Sequence, residues 1–205
     1  ADFQKGGFSS EDSIQVAKLF SDSGIDNIEI SGGTYEQPRL LGLDKVSINP
    51  KRSENRKEST IAREAYFLSY AEEIAKVVNI PLMVTGGFRT KEGMEAALAD
   101  GACEIVGVGR PLCANPYAIK ELLAGQIDEL PKYEKTLSIG PWWLSPTSPF
   151  RLIQAINAFS AQAWFYQQIK KMGKGLMPDL NLKPWKAFRE DAKADQEAIK
   201  EYQNI

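Results

Sequence analysis

The sequence predicts an α/β fold in which strands and helices alternate as parallel βαβ units, and three observations predict it. Short apolar runs, each opened or closed by glycine or proline, recur at residues 25–30, 80–85 and 104–109. Segments with apolar residues at steps of three and four separate them. The turns between these segments are mostly short, as parallel units require. Composition agrees: 205 residues, 43% hydrophobic and 25% charged, suffice for one substantial core or two small ones.

Taken in order, residues 9–23 open with Ser9, Ser10, Glu11 and Asp12, a capped helix start, and carry Ile14, Ala17 and Phe20 inward before Gly24 ends the helix. The run IDNIEI, residues 25–30, reads as a strand between Gly24 and Ser31-Gly32-Gly33. From Ser59 to Val78, Ile61, Ala65, Leu68, Ala71, Ile74 and Val78 give the strongest helical period in the chain. IPLMVT, residues 80–85, is a buried strand with Pro81 near its start, where a missing donor matters least. Thr90 caps a helix through Ala99 that turns Met94, Ala97 and Leu98 inward, and Gly101 closes it. EIVGVG, residues 104–109, is the next strand, and residues 116–125 make one more helix.

Before the first helix stands only ADF, which reads as the end of a strand whose beginning is missing. About four strand-helix units result, against the eight of a complete barrel of ~250 residues. Residues 1–125 are therefore either a small doubly wound sheet or half of a barrel. From Gly140 the pattern changes to the Pro-rich and Trp-rich GPWWLSPTSP, then a helix over 150–172 and a charged helix over 185–202.

The net charge of -2 and a pI near 5.4 provide no electrostatic footprint for nucleic acid or an anionic membrane. The first residues carry neither the cationic nor the apolar part of a signal peptide, and no apolar run approaches the ~20 residues of a membrane-spanning helix. Cys103 and Cys113 flank a strand and lie too far apart to bridge, so a reduced, cytoplasmic compartment is expected. With no His and no CxxC pair, no metal site is expected.

Function enters through MVTGGFRT and IVGVGRPLCANP, two strands that end on glycine one unit apart. Ligands of parallel β/α folds gather at the carboxyl ends of strands, and barrels commonly hold a phosphate there. Gly86, Gly87 and Gly109 let backbone N–H groups approach phosphate oxygens, and Arg110 supplies a forked cation. The plainer alternative is a tight turn at the paired glycines and a surface corner at Gly109-Arg110-Pro111.

GGFRT and GVGRPLCANP, preceded by ADFQKGGFS, IEISGGTYE and REAYFLSYAEEI in that order, resemble the carboxyl-terminal half of the Old Yellow Enzyme family, the NADH:flavin oxidoreductases. The resemblance covers residues 1 to about 125. The stretch to about residue 185, with AWFYQQIKKMGKG, looks like an extension carried by some members. It implies part of a (β/α)8 TIM barrel, from the end of strand 5 through helix 8, over residues 1–139, with a helical extension over 140–205. It also implies FMN as cofactor, NADH or NADPH as reductant, and a small activated alkene as substrate.

Carried onto this chain, the resemblance sets Gly86, Gly87 and Phe88 at the FMN phosphate and its surroundings, with Gly109 and Arg110 on its other side. For Phe88 the alternative is a core aromatic under the loop; Arg89 either assists the phosphate or, as the preferred reading, faces solvent or the first turn of the following helix. The family's substrate-anchoring His pair, its proton-donating Tyr and its cation near the flavin N1 belong upstream of Ala1. An amino-terminal half of the barrel is accordingly the expected partner, and a homo-oligomer is compatible. Tyr35 is the one tyrosine placed near the catalytic face, Glu29 points into a barrel or to solvent, and residues 32–58 form a long loop. Two alternatives remain: another FMN barrel enzyme, or a non-catalytic half-barrel that binds a phosphate ligand. The aromatics Trp142, Trp143, Phe150, Phe159, Trp164, Phe165 and Tyr166 read as core packing or a subunit contact rather than a ligand box.

Overall fold

The computed structural model describes residues 8–31 and 67–203. Within them the order is α1 (Ser10–Asp22), β1 (Ile28–Ile30), α2 (Leu68–Ala75), β2 (Leu82–Thr85), α3 (Lys91–Ala99), β3 (Ile105–Gly107), α4 (Arg110–Ala114), α5 (Ala118–Leu123), α6 (Arg151–Gly173) and α7 (Pro184–Gln203). These form two compact units. One takes in the described residues through Gly109 together with Tyr117–Pro131, and the other takes in Arg110–Pro116 together with the described residues from Lys132 onward.

The first unit holds a parallel sheet in the order β1-β2-β3. Ile30 pairs with Val84 and Val84 with Val106, so the three strands run in step. Ile30, Leu82 and Val84 are buried, and Phe67, Leu68, Ala71 and Ile74 at the start and along one face of α2 share a hydrophobic core with them and with Ala17, Phe88 and Ala97. Helix α1 starts on a capping box: Asp12 N–H donates to the Ser9 hydroxyl and Ser9 N–H donates to the Asp12 carboxylate. The hydrogen bond from the Ser9 backbone N–H, and after it the Ser9 side chain, hold the Asp12 carboxyl below its ordinary pKa.

Several boundaries move from where periodicity set them. The first strand starts at Ile28 rather than Ile25, because Gly24 (φ 79°) closes α1 with Ile25 N–H reaching back to the Phe20 carbonyl. The helix expected over 59–78 is α2 where described, and its earlier part lies outside the described residues. Thr90 caps α3 by accepting from Gly93 N–H, as expected, but Leu98 is 42% exposed while Ala97 is buried. Phe20 likewise faces out.

In the second unit the long helices α6 and α7 pack on each other, with Ala163, Trp164, Phe165 and Ala187 buried together with Ala114 and Leu137. The connection between them is pinned from inside. Trp164 Nε1 donates to the Leu182 carbonyl, while Gln168 donates to the Asp179 carbonyl and accepts from Asp179 N–H. Pro184 then opens α7 at a position where its missing N–H costs nothing. The aromatic cluster divides: Trp164 and Phe165 are core, whereas Trp142, Trp143, Phe150, Phe159 and Tyr166 are exposed. Among the described residues no helix is long and apolar enough to cross a membrane.

Candidate phosphate-binding strand ends

Thr85 and Gly107 are register partners in the parallel pair β2-β3. Parallel pairing makes both strands end at the same edge of the sheet, so Gly86-Gly87 and Gly109 leave that edge side by side within one unit. Gly86 and Gly87 adopt φ of 122° and 92°, backbone that L side chains rarely tolerate. The paired glycines are therefore required by conformation. Gly109 is different: its φ is ordinary, and among the described residues a Cβ built there meets nothing within 4 Å. Neither strain nor crowding among those residues asks for glycine at this position.

The loop between β2 and α3 is tied down just beyond the glycines. Phe88 is 1% exposed and belongs to the core, so its side chain anchors the loop from beneath. Arg89 departs from the expected solvent-facing position: it is 6% exposed, and its Nη1 donates to the Phe88 carbonyl at 2.7 Å. The Arg89 carbonyl in turn accepts from Leu130 N–H, and Thr90 bridges to Glu129. These backbone bonds tie the Arg89-Thr90 segment to Glu129-Leu130.

Arg110 opens α4, a five-residue helix at a position for which the sequence left a phosphate-binding cation or a surface corner open. Its Nη1 lies 3.8 Å from Glu134 Oε1, with the two side chains 23% and 19% exposed. Glu134 sits in a 3-10 turn, Tyr133–Lys135, and periodicity gave no sign of it. The signal that existed for α4 was Pro111, at home in a first helical turn. Glu29 is exposed. Tyr35 and the 32–58 loop lie outside the described residues.

Two further features are weighed against this edge. An open cavity of about 290 Å³ lined by Ala75, Val78, Asn79, Ile80, Pro81, Leu82 and Glu104 lies at the amino ends of β2 and β3, the opposite edge, where Glu104 accepts from Leu82 N–H. Ligands of parallel sheets gather at the other end. Neither Cys103 nor Cys113 forms a disulfide among the described residues, and burial pushes both thiols up, which leaves neither an activated thiolate.

No protein-family model matches the chain. Individual relatives do. An NADH-dependent flavin oxidoreductase of Talaromyces variabilis is 32% identical over 78% of this chain and 37% of its own length. Another of that name from Hypocrea jecorina is 41% identical over 55% of this chain and 26% of its own length. The chain is similar to NADH-dependent flavin oxidoreductases. An NADH oxidase of Thermoanaerobacter brockii adds 31% identity over 83% of this chain and 24% of its own. The names of these flavin oxidoreductases are consistent with the Old Yellow Enzyme-like resemblance carried by the five sequence stretches. The chain spans less than two fifths of the length of each of these relatives.

Proposed function

We propose that this chain carries the flavin-phosphate part of an FMN-dependent NAD(P)H oxidoreductase of ene-reductase type. The observation that supports it most is the Thr85–Gly107 register, which aligns two glycine-rich strand ends at one edge of a parallel sheet. The consecutive parallel order β1-β2-β3 is compatible with one arc of a (β/α)8 barrel, residues 1–139, the architecture that the family resemblance implies. In this reading residues 140–205 are the helical extension.

The residues fit an anionic tail. Gly86 and Gly87 present backbone without β-carbons, a Cβ at Gly109 would meet open space among the described residues, and in the sequence Arg110 follows Gly109 directly with a forked cation. Phe88 serves by anchoring the loop. FMN, when bound, supplies the electron transfer from a reduced nicotinamide to an activated alkene. This chain's residues would hold and orient its phosphate, and the relatives' names support the flavin and the NADH.

The test compares FMN with riboflavin, which lacks the phosphate. Flavin-fluorescence titration is expected to show wild type preferring FMN, with Arg110→Ala weakening FMN by about tenfold to a hundredfold, the range of a charge-assisted bond, and leaving riboflavin unchanged. Equal FMN affinities for wild type and Arg110→Ala would overturn the reading.

A further inference from the structure

We infer that Glu134 is a resident counter-anion of Arg110, one that lowers the affinity of this guanidinium for a phosphate-bearing ligand. The inference rests on the phosphate reading of Arg110 and goes beyond it by assigning a residue outside the glycine motifs to the tuning of that site.

Three observations carry it. The 3.8 Å separation of Arg110 Nη1 and Glu134 Oε1 is beyond hydrogen-bond length, so the two interact as charges rather than as a locked fork. The guanidinium therefore keeps donors for a second anion, but any second anion meets the carboxylate that is already there. Both side chains are less than a quarter exposed, which weakens screening by water and salt. Glu134 is also held in place. Its turn is closed by Lys135 N–H and Thr136 N–H donating to the Lys132 and Tyr133 carbonyls, and the Tyr133 ring packs 5.9 Å from Trp164, which is buried. Arg110 is fixed by the same core through Cys113 and Ala114 of α4.

A dianion approaching Arg110 thus gains from one positive charge and loses to one negative charge at nearly the same place. Neutralising Glu134 without changing its shape removes the loss alone. The experiment measures the ratio of riboflavin to FMN dissociation constants for the 205-residue chain as wild type, Glu134→Gln, Glu134→Asp, Arg110→Ala and the Glu134→Gln/Arg110→Ala double variant. Glu134→Gln is expected to raise the FMN preference about tenfold through Coulomb relief, Glu134→Asp to stay within about twofold of wild type, and the double variant to match Arg110→Ala. An unchanged or reduced FMN preference in Glu134→Gln, with Arg110→Ala still impaired, overturns the inference and leaves the phosphate reading standing. So does a gain in Glu134→Asp as large as that in Glu134→Gln. A ratio indifferent to Arg110→Ala overturns the phosphate reading itself, and no saturable flavin binding by any variant overturns both.

Discussion

Glycine has two different jobs along the edge where β2 and β3 end, and only one is conformational. Gly86 and Gly87 are glycines because of their positive φ. Gly107 is a glycine because of its neighbour: a Cβ there would overlap Thr85 Oγ1 and come within 2.8 Å of Thr85 Cβ. Thr85 Oγ1 is itself buried with no hydrogen-bond partner among the described residues, so it has no polar neighbour to turn toward. Gly107→Ala is expected to destabilise the chain by about 1–3 kcal/mol, the usual size of overpacking. Part of that should return in a Thr85→Ala background, which removes Oγ1, the nearest of the crowding atoms, while Met83 Cε at 2.7 Å and the residue-85 Cβ at 2.8 Å stay. Chemical denaturation of the two single variants and the double variant measures the coupling, and additive effects would contradict the account. The paired glycines themselves stand out in the sequence, and their positive φ is observed. That Gly107 answers to Thr85 was not, since cross-strand register decides it.

At the scale of elements, capping and termination explain why some segments were readable and others not. Ser9 with Asp12, and Thr90 ahead of α3, announce helix starts through local chemistry, and both starts are observed. Helix α4 has too few residues to display a period, so it was not legible as a helix. Asn157 was equally hidden, because a polar residue inside a helical pattern looks like a solvent-facing one. It is instead 3% exposed: its Oδ1 accepts from Ile139 N–H at 3.0 Å, and its Nδ2 donates to the Leu144 and Ile153 carbonyls, each at 2.8 Å. This amide stitches the Trp-rich turn, where Trp142 sits at φ 54° and 88% exposed, to the first turns of α6. Asn157→Leu strands those backbone groups and is expected to cost about 2–3 kcal/mol, read as a lowered denaturation midpoint followed by tryptophan emission. A midpoint equal to wild type would mean the turn holds without it.

For the whole molecule, the alternation of strands and helices was legible because each unit carries its own periodicity, and a parallel sheet in sequential order is what such alternation produces. The pairing of Arg110 with Glu134 was not legible, since it depends on the folding of the second unit around Trp164. Because the flavin oxidoreductases that resemble this chain are far longer than the matched region, we expect flavin binding and turnover to be separable. The 205-residue chain should take up FMN yet oxidise NADH in the presence of cyclohexenone no faster than free flavin does. Turnover above that background by this chain alone would contradict the division. The ring of Phe88 adds a consequence for how such uptake proceeds. Lying in the core directly after the paired glycines, it leashes the tip of the loop, so lifting that tip would mean extracting an aromatic side chain from its packing. In the proposed phosphate site this loop is pre-shaped, and an anionic tail bound there would forgo most of the ordering entropy that a slack glycine loop surrenders.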